Sequence, residues 1–458
     1  MTSSPLHRDN AASAASPDFE ALRARYAAAD ITVGVIGLGY VGLPLVKALA
    51  GCGITVVGFD VDEKKVEAIN AGKSYIRHIP SSVVEALVAG GRFAATADFG
   101  RLPEADAILI CVPTPLTQHR EPDLSFVVAT AEVIARHIRS GQLVILESTT
   151  YPGTTTGVIG PILERSGLKS GTDFYLGYSP EREDPGNDTY STTVIPKVVG
   201  GNSPEALELV TLLYDHFVPR TIPVSSVETA EAVKLTENIF RAVNIALVNE
   251  LKVVFEPMGI DVWEVIDAAK TKPFGFMPFY PGPGLGGHCI PIDPFYLTWK
   301  AREYGISTRF IELAGEINTS MPDYVIEKLA RGLDDRFGRG LNGAKILVVG
   351  LAYKKNVDDI RESPALTIIE RLMRRGADVS IYDPFVPVIP GSREHPGLAG
   401  KESIAWSTET LSGFDGAMIV TDHDEVDYQA LVDALPLVVD TRNATRSVTR
   451  GRERIIKA

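Results

Sequence analysis

Cys289 sits in GPGLGGHCIPID, the stretch from Gly282 to Asp293, a run of glycines and prolines that favours neither helix nor strand. A thiol kept only for packing belongs in an apolar helix or strand. This one therefore poses a choice between a buried inert sulfur and a nucleophile carried by a backbone that must pass close to something. Asp293 follows four residues later. Upstream, Lys234 and Asn238 are four residues apart in a stretch of helical periodicity, so they share a helix face. Lys234 lies in EAVKLTENIF, where apolar neighbours favour partial burial, and burial would ready its amine to handle protons near neutrality. A solvated surface lysine is the plainer alternative.

The elements around these residues are legible in outline. From Ile31 the chain reads ITVGVIGLGYVGLPLVKALAGCGITVVGFD, in the order strand, glycine turn, helix, strand. Gly37, Gly39 and Gly42 form G-x-G-x-x-G, and Asp60 ends the next strand 18 residues beyond Gly42. The glycines permit a tight turn and let the backbone approach a pyrophosphate at the helix N-terminus, while the acid accepts hydrogen bonds from ribose hydroxyls. An acid there repels a 2′-phosphate, which favours NAD over NADP. Leu38, Tyr40 and Val41 in the turn, with Lys65 beyond the acid, complete the candidate cofactor residues. Further strands in ADAILICVPTP and GQLVILESTTYPG continue a parallel sheet covered on both faces.

Between Glu228 and Met258 no Gly or Pro interrupts the chain until Pro257, and apolar residues recur at three- and four-residue spacing, so one long helix is expected. From Lys345 a second strand and crossover begins in KILVVGLAYKKN, and FDGAMIVTD and LPLVVDTRN supply later strands. Here GLAYKKN puts lysines where the first half has its glycine fingerprint.

Composition narrows the function classes. The chain has 458 residues, enough for roughly three domains at about 150 each. Its net charge of -13 lacks the basic footprint of a nucleic-acid binder. No apolar run reaches the roughly 18 residues of a membrane span, and the first 20 residues lack the apolar core of a secretory signal. The three cysteines, Cys52, Cys111 and Cys289, are odd in number and contain no Cys-x-x-Cys pair, which argues against a disulfide framework and a zinc site. A cytoplasmic protein with no metal fits, with Cys52 and Cys111 read as core residues.

The whole ordered chain resembles the UDP-glucose/GDP-mannose dehydrogenase family, and GPGLGGHCIPIDP with SPEREDPGN resembles its branch acting on UDP-N-acetylhexosamines. The resemblance implies a nucleophilic Cys289 in a two-step oxidation of a sugar C6 alcohol to a carboxylate. Water held by Lys234 and Asp293 would help take the hydroxyl proton, Lys234 and Asn238 would steady oxyanions at C6, and Glu181 would assist hydrolysis of the acyl-enzyme. Ser148 and Thr149 of LESTTYPG match the family's pair near nicotinamide and substrate, and Thr149 is thereby a catalytic candidate. Val112, Pro113, Thr114 and Pro115 close a strand at the sheet's carboxyl edge, where cofactors lie. Tyr353 and Lys354 match the segment holding the nucleotide sugar, Arg361 of RESP an arginine reaching the cofactor, and Arg442 a phosphate-binding position. Arg182, Tyr280, Gly282, Gly284 and Gly286 join the implied substrate set. UDP-glucose members place a lysine before the loop's aspartate, where this chain has Ile292, and a small residue where it has His288. Both differences favour an N-acetylated sugar.

The expected architecture is α/β, two Rossmann-like doubly wound domains joined by a helical central domain with a long connecting helix. Its expected parts are a disordered or partly helical tail over 1–30, an NAD domain over 31–220, a helical domain over 221–335 and a UDP-sugar domain over 336–458, with the active site in the cleft between the outer two. The implied partners are a UDP-N-acetylhexosamine, with UDP-GlcNAc favoured, NAD, and a second copy of the chain in a homodimer through the long helix. UDP-ManNAc, UDP-GalNAc or UDP-glucose as substrate, an alcohol dehydrogenase stopping at the aldehyde, and a non-catalytic nucleotide sensor are the alternatives.

Overall fold

The computed structural model describes residues 17–76, 79–117, 121–182, 193–287, 292–392 and 394–458. By their contacts these fall into two compact units, one of Met1–Thr114 with Leu124–Lys234, the other of Pro115–Asp123 with Leu235–Ala458.

The first unit is built on eight strands: β1 (Thr32–Ile36), β2 (Thr55–Phe59), β3 (Phe93–Thr96), β4 (Ala107–Ile110), β5 (Leu143–Leu146), β6 (Tyr175–Tyr178), β7 (Lys197–Gly201) and β8 (Thr221–Pro223). Their order is β3-β2-β1-β4-β5-β6-β7-β8. All neighbours are parallel except β6 and β7, which meet through Gly177↔Gly201 and Tyr178↔Gly200. The glycines there leave room for the helix Pro204–Asp215: a Cβ at Gly201 would come within 2.2 Å of the Leu207 amide and one at Gly177 within 2.4 Å of the Val210 side chain. Alternate residues of one strand feed separate clusters: Val33 and Val35 pack in one, Ile36 in the other, and Leu109 opposes Ile108 and Ile110. With a two-residue side-chain period, both faces of the sheet are therefore buried, which requires helices on each.

Part of the N-terminal tail is ordered. Pro17–Ala27 is a helix whose Phe19 packs 5.8 Å from the Tyr175 ring. Arg25 grips Asp106 through two hydrogen bonds of 3.0 and 2.7 Å, and the Tyr26 hydroxyl donates to the Asp106 carbonyl. Cys52 departs from its expected core position. It caps the helix Gly42–Gly51, is exposed, and its thiol donates to the His216 carbonyl at 3.0 Å.

The second unit carries a five-stranded parallel sheet of β9 (Lys345–Val349), β10 (Asp378–Tyr382), β11 (Gly416–Ile419), β12 (Val438–Asp440) and β13 (Ile455–Lys457), in the order β10-β9-β11-β12-β13. Ile346 and Val348 face one core, Leu347 and Val349 the other, the same two-sided burial as in the first sheet. Its helices include Asp293–Glu303 and the 29-residue Arg309–Phe337. The long helix Val227–Phe255 holds the predicted span and passes into a 3-10 turn at Glu256–Met258, where Pro257 stands.

One buried group in this helix is stabilised poorly. Lys252 is 4% exposed, its ammonium 5.3 Å from the ring centres of Trp263 and Tyr324, with no hydrogen-bond partner among the described residues. Burial pulls its pKa from 10.5 down to about 7, against the pull of Glu256. Below pH 7 the amine is charged in both folded and unfolded chains and the cost of burying it is felt in full. Between about 7 and 10.5 only the unfolded chain binds the proton, so stability rises with pH across that window. Lys252→Met is expected to stabilise the protein by about 1–3 kcal/mol at pH 7 and to flatten this rise, read as Tm at pH 6.5 and 9. A lower Tm at both pH values would contradict it.

Candidate active site

The glycine turn follows β1 directly. Gly37 has φ +93°, and its amide donates to the Phe59 carbonyl at 2.8 Å. The three glycines have different reasons to be glycine. A Cβ at Gly37 would lie 2.6 Å from the Cys111 carbonyl oxygen, and one at Gly42 would lie 1.9 Å from the Gly37 oxygen. At Gly39 no atom of the described residues lies within 4 Å of such a Cβ, which leaves the space open to a ligand. The helix Gly42–Gly51 starts without a side-chain cap, its Leu43 amide donating back to the Gly39 carbonyl at 3.1 Å and Pro44 carrying no N–H. Asp60 is buried, accepts the Leu38 amide at 3.0 Å through one oxygen and the Asp62 amide at 3.0 Å through the other, and pairs with Lys65 at 3.6 Å. Tyr75, which sequence reasoning missed, donates to the Leu38 carbonyl and lies beneath the Lys65 ammonium. Its signal was weak, a tyrosine in a polar loop. An open glycine, an uncapped helix and a held acid together fit NAD.

At the carboxyl ends of β4 and β5 the Ser148 hydroxyl donates to the Val112 carbonyl at 2.6 Å, tying the VPTP segment to the Ser148–Thr149 pair. Thr114 is buried and Thr149 half-buried. Directly before them Glu147 is buried against Lys197 at 2.8 Å and the Tyr214 hydroxyl. Lys197 also reaches Glu181 at 3.2 Å. The Ser179–Arg182 turn is bound on both flanks: the Ser179 hydroxyl donates to the Val198 carbonyl at 2.9 Å, and Arg182 to the Pro196 carbonyl at 2.6 Å. Lys234 is buried and donates to the Glu181 carbonyl at 2.5 Å, so the lysine and SPER meet within one unit. One helical turn earlier Glu231 accepts the amides of Gly153 and Thr155 and the Thr155 hydroxyl, fastening the YPGT turn to the same helix. Burial pushes the Glu231 carboxyl up to about 7 in spite of these donors.

In the second unit the Asn238 amide donates to the Asp293 carboxylate, and both are buried. Cys289 and His288 lie outside the described residues, so this pair marks the C-terminal end of the cysteine loop. At the other end the Gly282 amide donates to the Asn249 Oδ1 at 3.0 Å, and Asn249 donates to Asn318 at 2.9 Å. The loop's glycines answer to neighbours in the same unit. A Cβ at Gly282 would fall 2.4 Å from the Arg442 guanidinium, at Gly286 2.7 Å from the Tyr353 Cβ, and at Gly284, with φ +143°, 3.1 Å from Pro364. Small residues thus let this backbone lie against Tyr353, Pro364 and Arg442. Arg442 also donates to the Val420 carbonyl at 3.0 Å.

The remaining candidates are placed as follows. Lys354 is half-buried; Arg361 is exposed and forms a two-pronged pair with Asp359. The Tyr280 hydroxyl donates to Asp267 at 2.7 Å, while Phe279 packs edge-on to Phe240 at 5.8 Å. A feature not foreseen is Asp383 at the end of β10. It accepts the amides of Leu351 and Ala352 and meets His423 Nε2 at 3.0 Å, while His423 Nδ1 accepts the Asn356 amide. The second Rossmann-like turn is thus organised by an acid in the position Asp60 holds in the first.

Family models match in three consecutive parts: the UDP-glucose/GDP-mannose dehydrogenase NAD binding domain at residues 31–218, the central domain at 228–320 and the UDP binding domain at 347–447. The chain belongs to this family. It is 37% identical over 398 residues to UDP-N-acetyl-D-glucosamine 6-dehydrogenase of Pseudomonas aeruginosa, covering 86% of this chain and 91% of that one. It is 35% identical to NDP-N-acetyl-D-galactosaminuronic acid dehydrogenase of Ralstonia nicotianae, covering 90% and 95%. Among solved structures, UDP-D-ManNAc dehydrogenase from Pyrococcus horikoshii superposes with a TM-score of 0.82 at 33% identity, covering 90% and 96%. As a member of this family the protein is an NAD-dependent nucleotide-sugar dehydrogenase with an NAD domain, a central helical domain and a UDP domain. Among the described residues no helix is long and apolar enough to cross a membrane, and no group of His, Cys, Asp or Glu is placed to hold a metal ion.

Proposed function

We propose that this dehydrogenase oxidises the C6 alcohol of a UDP-N-acetylhexosamine, UDP-GlcNAc first, to the uronic acid in two oxidations linked by a Cys289 thioester. The observation carrying this reading is the buried Asn238–Asp293 pair, which places two of the proposed groups in contact at the end of the cysteine loop. NAD, when bound, accepts one hydride in each oxidation. Lys234 and Asp293 hold the water that takes the hydroxyl proton in the first. The Cys289 thiolate then adds to the aldehyde carbon to give a thiohemiacetal, whose oxidation leaves the thioester. Water adds to that acyl carbon, giving its proton to Glu181, and the thiolate leaves with the carboxylic acid released. Lys234 and Asn238 donate to the oxygen that carries negative charge at C6 in these steps. Gly37 through Gly42, Asp60, Lys65, Val112 to Pro115, Ser148, Thr149 and Arg361 hold the cofactor. Arg182, Tyr280, the loop glycines, Tyr353, Lys354 and Arg442 hold the nucleotide sugar.

The N-acetyl preference is supported by Ile292, buried at 6% exposure, where glucose-oxidising members place a lysine. Relatives named for the glucosamine and galactosaminuronic sugars resemble the chain almost equally, so UDP-ManNAc, UDP-GalNAc and UDP-glucose are the competing substrates. NADH formation with the four sugars decides among them: UDP-GlcNAc should give the highest kcat/KM, and a higher value for another sugar would reassign the substrate.

We take the working form to be a cytoplasmic homodimer with domain boundaries near 220 and 335. The dimer is supported by Phe240, Leu247, Val254 and Met258, which recur at steps of seven, seven and four residues along one side of the long helix and its 3-10 end and are all exposed. A single-chain mass by light scattering at assay concentration would contradict it.

A further inference from the structure

β7 is buried over its first four residues, and the first of these is a lysine. Lys197 is 2% exposed, with its Nζ 2.8 Å from Glu147, 3.2 Å from Glu181 and 5.5 Å from the centre of the Tyr214 ring. Sealing an ammonium and a carboxylate in a core costs more than an apolar pair of the same volume, so stability alone does not account for the choice. The partners differ in one respect: the Glu147 side chain is fully sealed, whereas that of Glu181 keeps 13% exposure. The cluster therefore has one open end, and Glu181 occupies it.

We propose that Lys197, anchored by Glu147 and Tyr214, is the positioning residue that fixes Glu181 in place and keeps it a carboxylate ready to accept a proton. This rests on the reading of Glu181 as the base for acyl-enzyme hydrolysis. The anchoring is directional. Tyr214, from the helix Pro204–Asp215, donates to one Glu147 oxygen, the other takes Lys197, and the same ammonium reaches on to Glu181. Among the described residues the charged and titratable groups that act on Glu181 include Lys197 from β7, Glu147 after β5, Cys111 after β4 and Lys234, whose amine bonds the Glu181 carbonyl, while Glu181 Oε1 accepts the amide of the adjoining Arg182 at 2.6 Å. Burial pulls the Lys197 ammonium down, but Glu147 and Glu181 together hold it above its usual value. Burial pushes Glu147 up to about 7 against the pull of Lys197. Burial, with Glu147 close by, raises the Cys111 thiol well above its usual range, which leaves that sulfur inert. Because Lys234 is tied to the Glu181 carbonyl, one turn held by Lys197 also sets where the second proton-handling group sits.

Glu181→Gln, Lys197→Met and the double variant Lys197→Met/Glu147→Gln test this, with NAD binding, steady-state kcat and KM, and the pH profile of kcat as readouts. The double variant removes the partner that the single one would leave buried and unpaired, so it should fold. Its kcat is expected to fall about tenfold to a hundredfold, less than the 10²–10⁴ a positioned base contributes because the base itself is kept, with KM within about threefold. Loss of the cation 3.2 Å from Glu181 removes the charge that favours its carboxylate, so the acid limb of the kcat profile should move to higher pH. Wild-type turnover in Glu181→Gln would overturn the reading of Glu181 itself. If Glu181→Gln is slow, a double variant with wild-type kcat, or a slow one with an unmoved acid limb, overturns the role of Lys197.

Discussion

Replacing Cys289 by serine is expected to leave NAD bound and the uronic acid unmade. A serine hydroxyl at neutral pH is a far poorer nucleophile than a thiolate, and no thioester can form through it. The first oxidation does not need the sulfur, so aldehyde should be formed and caught by a carbonyl trap such as hydroxylamine, while acid production falls by about a thousandfold or more. The comparison also separates the rival readings. A sensor protein would yield neither aldehyde nor acid even with the native cysteine, and a simple alcohol dehydrogenase would be indifferent to the change. Acid production at the native rate by the serine variant would remove the covalent intermediate.

The second large effect is expected in the glycine turn, where two substitutions that look alike in sequence should fail in different ways. Gly39 has open space where a Cβ would be, so Gly39→Val should leave Tm nearly unchanged. The side chain would occupy the approach of the pyrophosphate to the backbone, and NAD affinity should drop about a hundredfold or more. Gly42→Ala places a Cβ 1.9 Å from the Gly37 oxygen, a backbone atom that can yield only by opening the turn. It should destabilise the fold by about 1–3 kcal/mol, with Tm falling before cofactor affinity is considered. Calorimetry with and without NAD distinguishes them. A Gly39→Val protein that binds NAD normally would move the cofactor away from this turn.

These contrasts show what was legible in the chain and what was not. Features carried by local pattern were readable: the glycines before Asp60, the long uninterrupted helix, the two-sided strands of both sheets, and the four-residue spacings that led to Asn238 and Asp293. Features that depend on pairing across long separations were not. Glu147 lies 50 and 67 residues from its donors Lys197 and Tyr214, and each of the three alone reads as an ordinary polar residue near a strand or helix end. Gly177 and Gly201, where β6 meets β7, show their use only when Val210 and Leu207 are packed against them. Cys52 reads as a core residue from its place at a helix end, yet it caps that helix in an exposed position. The loop glycines were legible as a demand for close approach; that Tyr353, Pro364 and Arg442 stand against the backbone there was not. His423 and Asp383 escaped notice because the second turn carries no glycine fingerprint, though the acid at the end of β10 repeats the place of Asp60 after β2.

The central claim is that one sulfur captures the aldehyde made in the first oxidation and holds the sugar carbon through the second. Counting NADH against sugar consumed, with NAD in excess and the sugar limiting, tests it most directly. Two NADH per UDP-N-acetylhexosamine, with no aldehyde released to a trap, is the predicted result. One NADH per sugar with free aldehyde accumulating would contradict it.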